Sequence, residues 1–313
     1  MNIIDTITIQ NSRKYFILRI FAWIGVKSKM FTKLFSTLLR SRKDFPFDDV
    51  EAVYAHLNVE REAENIAFIK AICSDSKISD MYDIGSNYMQ FSSALGSAFN
   101  KIHCYDPNSY VLESGYKEYG LSNMITYNAA VIPNNEQKKD CYFINVKGNS
   151  GLSSVVFENP STESKNYKSN KIDCLHMKEV LPEETFETDL LKIDVEGLED
   201  KLVRDAINDS NFQGIICFES LSKLSRESFS KVFLNSNYIF YVVKYNFSDF
   251  SGLMANSFYG ILKAVLLNKS EMVIYKSKEV NKFDFDFIPL VFCVPSHLES
   301  YVDAKIPSID GNL

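Results

Sequence analysis

The sequence predicts an α/β protein built on an open, mostly parallel sheet with helices on both faces. Three observations carry this. Apolar strand-like runs alternate with segments of helical apolar spacing. The run Met81-Tyr82-Asp83-Ile84 ends in a sharp turn at Gly85, after which Phe91, Ala94, Leu95, Ala98 and Phe99 recur at helical intervals. A second apolar run, Leu190 to Val195, ends in the same way at Gly197. Strand-turn-helix corners of this kind hold nucleotide-like ligands at the carboxyl edge of open α/β sheets.

The chain has 313 residues, 46% apolar and 24% charged, which is a folded globular composition with room for one large core. The net charge of −6 gives no reason to expect a nucleic-acid partner. It divides unevenly. Residues 11–43 hold nine Lys/Arg and no acid, so residues 1–43 carry +8 and the remainder −14. Phe16, Ile20, Phe21, Trp23, Ile24, Phe31, Leu34 and Leu38 lie among these cations. Residues 1–48 therefore read as a basic amphipathic helical segment, broken too often by charge to span a membrane. It could lie on an anionic membrane surface, or pack on the acidic body or on a second copy of the chain. No secretory signal is expected from Met1 to Gln10. The expected setting is cytoplasmic, with peripheral contact at the inner membrane surface as one option. The six cysteines form no C-x-x-C pair and read as buried reduced thiols, neither a disulfide frame nor a zinc site.

The main domain is expected over 49–313. After the Phe45-Pro46-Phe47 break, Val53, Leu57, Ala63, Ile66, Ile69 and Ile72 mark a long helix. The first strand, Ile78 to Ile84, delivers Asp83 to the corner, and Asn87 opens the next helix. Gly85 permits backbone angles closed to other residues and a close ligand approach. Asn87 and Gln90 stand where G-x-G-x-x-G needs glycine, so this is not the dinucleotide fingerprint of a nicotinamide enzyme. A strand-end acid suits an amine-bearing ligand such as S-adenosylmethionine better than a pyrophosphate.

The second strand, Lys101 to Tyr105, ends at Asp106-Pro107, 23 residues beyond Asp83. That is close to the ~20-residue offset at which a carboxylate meets a ribose diol; the alternative is a helix cap. A third strand is expected from Met124 to Ile132 and a short one from Cys141 to Val146. Gly148 to Ser154 is a Gly/Ser loop, and 159–170 reads as a polar loop. Asp194 and Glu196 finish the Leu190 run on alternate positions. Gly214 to Glu219 ends in another acid. In a parallel sheet Asp83, Asp106, Asp194, Glu196 and Glu219 would share one rim. Leu221 to Asn235 reads as a helix, and Tyr238 to Tyr245 and Pro289 to Pro295 as strands. The stretch 246–287 reads as an aromatic-rich insert, either an acceptor pocket, a core or a subunit interface.

These motifs resemble the FkbM-family methyltransferases. Asp83-Ile-Gly85-Ser-Asn87 is similar to that family's D-x-G-x-N motif, Asp106-Pro107 to its E-P motif, and Gly151-Leu-Ser153-Ser154 to its Gly/Ser loop. Lys192-Ile-Asp194-Val-Glu196-Gly197-Leu-Glu199 resembles its K-x-D-x-E-G-x-E signature, the most specific of the set. The likeness covers about residues 78–220 and extends to the last strands. Met89 stands where the family usually carries a second glycine, and aspartate replaces glutamate at Asp106.

The resemblance implies a Rossmann-like sheet of seven strands and methyl transfer from S-adenosylmethionine, often to a hydroxyl of a sugar or natural product. By the same resemblance, Asp83, Gly85, Ser86 and Asn87 line the methionine side, Asp106 holds the ribose, and Asp194 and Glu196 face the transferred methyl and the acceptor, Asp194 serving cofactor and chemistry alike. The base could be Asp194, Glu196 or His176. Asp194 and Glu219 could instead hold a divalent ion, but two ligands are few for a hard cation, so no metal is expected. The acceptor is expected to be a small molecule or a glycan. A non-catalytic protein that keeps this fold for binding or assembly is the second reading.

Overall fold

The computed structural model describes residues 2–10, 63–73, 79–138, 141–146, 150, 153–158, 167–220, 223–234, 236–245, 269–283 and 288–309. Its centre is one sheet whose strands, in chain order, are β1 (Asn2–Gln10), β2 (Asp80–Ile84), β3 (Lys101–Tyr105), β4 (Met124–Tyr127), β10 (Leu190–Ile193), β11 (Ile215–Ser220), β12 (Tyr238–Tyr245), β13 (Lys269–Ser277) and β14 (Ile288–Pro295). The intervening β5 (Ala130–Ile132) and β9 (Cys174–His176) pair with each other. The strands β6 (Tyr142–Val146), β7 (Ser154–Val156) and β8 (Tyr167–Lys171) form a third sheet.

The main sheet runs β1-β13-β12-β14-β11-β10-β2-β3-β4. From β11 to β4 every pairing is parallel. β14 is inserted antiparallel between β11 and β12, and β13 and β1 extend that edge antiparallel. Seven of the nine strands thus share one direction. The sheet holds the seven expected strands and two more.

Those two correct the expected boundaries. Residues 2–10 form a strand paired with β13, not part of a helical segment. Six of the nine are β-branched (Ile3, Ile4, Thr6, Ile7, Thr8, Ile9), which suits a pleated strand. The expected insert at 246–287 contains β13, whose Met272, Val273 and Ile274 are core. The expected third strand is two: β4 stops at Tyr127, and β5 leaves the main sheet. The end of the expected polar loop 159–170 belongs to β8. The basic segment 11–48, the start of the long helix, Gly148, Gly151 and residues 246–268 lie outside the described residues.

Helices cover both faces. On one lie α1 (Ala63–Cys73), α2 (Gln90–Ala94), α3 (Ser109–Tyr119) and, C-terminal to the last strand, α7 (Glu299–Lys305). Phe68, Ile69 and Ile72 of α1 and Val302 of α7 share a core with Met81, Ile102, Leu190, Cys217, Tyr241 and Phe292. On the other lie α4 (Met177–Val180), α5 (Glu199–Asn208) and α6 (Lys223–Val232). Leu202, Val203, Ala206 and Phe229 pack there on Tyr82, Leu191, Ile193, Phe218 and Val242. Glu199 and Asp200 open α5 and complement the positive end of its dipole. All six cysteines are free and buried.

The alternation is strict on β10. Leu190 and Lys192 face the first core and Leu191 and Ile193 the second, and all four are buried. A central parallel strand is covered on both sides, so Lys192 is a charge inside a core layer.

Phe68 is fully enclosed, its ring 5.7 Å from that of Tyr241 and 4.9 Å from that of Phe292. Truncation there leaves a cavity between α1 and the antiparallel half of the sheet. Phe68→Ala is expected to lower the unfolding free energy by about 3–5 kcal/mol in a urea titration.

Candidate active site

The corner after β2 is a chain of close backbone contacts. Gly85 has φ +82°, and its N–H donates to the Tyr105 carbonyl at 2.9 Å, beside that of Ser86 at 3.1 Å. A Cβ on Gly85 would stand 1.8 Å from the Asp194 carbonyl oxygen. Any side chain would therefore force β2 away from β10 as well as strain the backbone. Asn87 and Met89 also take left-handed angles, φ 47° and 58°. Asparagine tolerates this region. Met89 holds the conformation that a glycine would take freely, and its side chain is fully buried, which offsets a cost on the order of 1 kcal/mol. The Ser150 hydroxyl donates to Asn87 Oδ1 at 3.1 Å, so the Gly/Ser loop closes onto this corner.

Asp106 follows β3 and is buried. Its Oδ2 accepts from the Asn87 backbone N–H at 2.9 Å and its Oδ1 from that of Asn108 at 2.8 Å. The N-cap of α3 is Asn108, whose side chain accepts from the Val111 N–H, so Asp106 is not the helix cap. Each carboxylate oxygen keeps a second acceptor site for a hydroxyl donor. Burial pushes the Asp106 carboxyl up to about 6, against the pull of the two backbone donors.

Asp83 does something other than the sequence suggests. It is one residue short of the strand end and fully enclosed. The Ser92 hydroxyl donates to its Oδ2 at 2.5 Å, and the Lys192 ammonium to its Oδ1 at 3.2 Å. Both carboxylate oxygens are held from within the core, so the structure places Asp83 beneath the edge rather than at the expected place on the rim. Lys192, which the sequence analysis left out of the site, donates as well to Asp194 Oδ2 at 3.2 Å and lies 5.4 Å from the Phe91 ring centre. The available signal was a lysine at an inward position of an otherwise apolar central strand.

Asp194, Glu196 and Glu219 meet. Each offers a carboxylate oxygen, all within 4.8 Å of one another, and all three are partly exposed. The turn that allows this has Glu196 at φ 58° and Gly197 at φ 119°. Glu199 ties it down, accepting from the N–H of Val195 at 3.1 Å and of Gly197 at 2.9 Å. Burial raises the Glu199 carboxyl above its ordinary range. In Lys192-Ile-Asp194-Val-Glu196-Gly197-Leu-Glu199 the lysine anchors, two acids reach the rim, the glycine turns and the last acid fastens the turn. Three carboxylates, not the two foreseen, thus meet at the rim.

His176 is not among them. It ends β9 in the separate two-stranded sheet and caps α4. Its Nε2–H donates to the Glu136 carbonyl at 2.9 Å, and Nδ1 lies 3.3 Å from Glu179 Oε2. Both ring nitrogens serve local structure, so its expected place among the bases is corrected.

A glycine turn, a buried acid after the next strand and clustered acids at the strand ends share one edge of a Rossmann-like sheet. The sequence matches the family model described as the methyltransferase FkbM domain over residues 59–240, more than half of the chain. The chain belongs to the FkbM methyltransferase family, whose cofactor is S-adenosylmethionine. No curated protein matches the sequence. Similar solved structures include the N-methyltransferase NodS from Bradyrhizobium japonicum WM9, at 12% identity and TM-score 0.36, covering 70% of this chain and 97% of that one. A precorrin-6y C5,15-methyltransferase from Geobacter metallireducens GS-15 is 12% identical with TM-score 0.34, covering 72% and 87%. An S-adenosylmethionine-dependent O-methyltransferase from Thermotoga maritima is 9% identical with TM-score 0.35, covering 73% and 63%.

The donor set fits this cofactor. Asp106 has acceptor capacity left for hydroxyl donors, Asn87 and Ser86 border the bare backbone of Gly85, and the rim acids favour a cationic centre. The Asp106 carboxyl sets a pH dependence. Its value rises from about 3.8 to about 6 on folding, so in the ligand-free chain its contribution to stability is present at low pH and is lost as pH rises through about 6. Ribose donors favour the ionised form, so binding has the opposite sign. Affinity for S-adenosylhomocysteine is expected to fall as pH drops below about 6. Asp106→Asn should weaken binding at neutral pH by roughly 1.5–3 kcal/mol and flatten that dependence, both read by titration calorimetry.

Proposed function

We propose that this methyltransferase acts on oxygen, and that its acceptor is a sugar hydroxyl on a glycan or glycoconjugate. The observation that carries this is the cluster of Asp194, Glu196 and Glu219 at the carboxyl edge of adjacent strands. A hydroxyl is a weak nucleophile until its proton is taken or held, and a carboxylate in hydrogen-bond reach does that. When bound, S-adenosylmethionine supplies the electrophilic methyl group. The chain's own task is to align the acceptor, exclude water and receive the hydroxyl proton. Asp194 would serve in the last step, with Lys192 on its Oδ2 and Oδ1 toward the acceptor. Glu196 and Glu219 take further hydroxyl donors, which suits a polyhydroxylated acceptor. The same acids and the net charge of −6 disfavour nucleic acid.

The proposed setting is the cytoplasm, with the basic residues 11–43 meeting the inner membrane surface or a second copy. No helix among the described residues is long and apolar enough to cross a membrane.

Three oxygens within 4.8 Å also suit a divalent cation, which would lower the hydroxyl's pKa in place of a base. A screen of sugar, phenol and amine acceptors with methyl-labelled cofactor tests the acceptor class. Label recovered only on amines would overturn the oxygen assignment, and no transfer beside intact cofactor binding would favour the non-catalytic reading. On the identified acceptor, Asp194→Asn should slow single-turnover transfer by about 10²-fold or more and change S-adenosylhomocysteine affinity far less. Full activity with a lowered melting temperature would make Asp194 structural. A rate unchanged by EDTA is expected for the base, and a rate abolished by EDTA and restored by magnesium identifies the cation.

A further inference from the structure

We infer that Lys192 is the positioning residue that fixes the Asp194 carboxylate as a negative charge at the site of the transferred methyl group, with buried Asp83 as its anchor. The inference rests on the methyl-transfer reading and deepens it.

The geometry is a chain of contacts crossing from core to rim. Ser92 Oγ holds Asp83 Oδ2 at 2.5 Å, Asp83 Oδ1 holds the Lys192 ammonium at 3.2 Å, and the same ammonium holds Asp194 Oδ2 at 3.2 Å. Exposure rises along it. The Asp83 side chain is 0% exposed, that of Lys192 5% and that of Asp194 29%. Only the last member can meet a ligand. Lys192 sits on β10 in register with Asp83 on β2, so its stem crosses between neighbouring strands. The Phe91 ring lies by the ammonium.

A structural requirement for neutralising Asp83 would be met by a lysine bonded to Asp83 alone. Here the ammonium is shared, and the second acceptor is the rim carboxylate. A flexible surface aspartate loses rotamer freedom when it must hold one geometry; a donor already fixed by a buried partner removes that cost beforehand. Asp194 Oδ1 is then aimed by β10 rather than by its own side chain.

Asp194 would act on whatever positive charge occupies the methyl position. That can be read without knowing the acceptor. Sinefungin carries an amine, cationic at neutral pH, where S-adenosylmethionine carries its methyl sulfonium. S-adenosylhomocysteine carries a neutral thioether there. The ratio of the two dissociation constants reports the charge at that point and cancels losses common to both ligands, such as a loosened corner.

The wild-type chain is expected to prefer sinefungin by about tenfold or more, the scale of one charge-assisted hydrogen bond. Asp194→Asn should abolish the preference. The double variant Lys192→Met with Asp83→Asn removes both buried charges, so neither is left alone in the core. It should fold, by its melting transition, and should also lose the preference. Adding Asp194→Asn to it should change the ratio no further, since both act through one carboxylate. A preference that survives in the double variant overturns the proposal. So does failure of that variant to fold, which would assign Lys192 to the fold alone, and so do losses that add. A wild-type chain that binds both ligands without preference overturns it while leaving the cofactor assignment standing. Binding of neither ligand overturns the cofactor assignment as well.

Discussion

The site depends on the buried ion pair between Asp83 and Lys192, on neighbouring strands in the middle of the sheet. Burying two charges in a core layer is costly unless their geometry and remaining hydrogen bonds are good. Here Ser92 completes one partner and Asp194 the other. The pair also fixes what lies above it. β2 and β10 are in register at these residues, and their ends are the two strand-to-helix corners that build the carboxyl edge. Gly85 then allows the β2 corner to rest on the Asp194 carbonyl. Removal of one charge would leave the other stranded in an apolar layer, so the sequence between these strands is constrained well beyond what packing demands.

Much of this was legible in the residues because it is local. The two corners, the acid after the second strand and the strand-ending acids each sit within a few residues of a glycine and an apolar run. Tyr238 to Tyr245 shows the same legibility, its observed bounds matching the expected ones. Asp83 was misplaced because the strand-end rule locates a residue along the strand but not through it. Two positions before the Gly85 turn, its side chain is still beneath the edge. Lys192 was passed over for a related reason: a lysine in an apolar run becomes informative only when its partner on the next strand is known. The same applies to Met89, whose left-handed backbone marks the place of the family's glycine although its identity does not.

The parts that escaped are non-local. β1 pairs with β13 across almost the whole chain, and nothing in either stretch names the other. The content of 246–287 was read from its aromatic rings, but the strand inside it is built from Met272, Val273 and Ile274. His176 looked like a base on residue type alone. Its ring is spent on Glu136 and on the start of α4, which only the small β5–β9 sheet makes apparent.

The pairing of β1 with β13 has a consequence for how the protein is made. Residues 2–10 leave the ribosome long before their partner, residues 269–277. A β-branched strand with an unsatisfied edge must wait while the intervening chain is made, at about 5–20 residues per second, before its hydrogen bonds can close. Such an edge invites pairing with other nascent chains. The half of the sheet from β2 to β11 is contiguous in sequence and can form meanwhile, so completion of the sheet is the late, long-range step of folding.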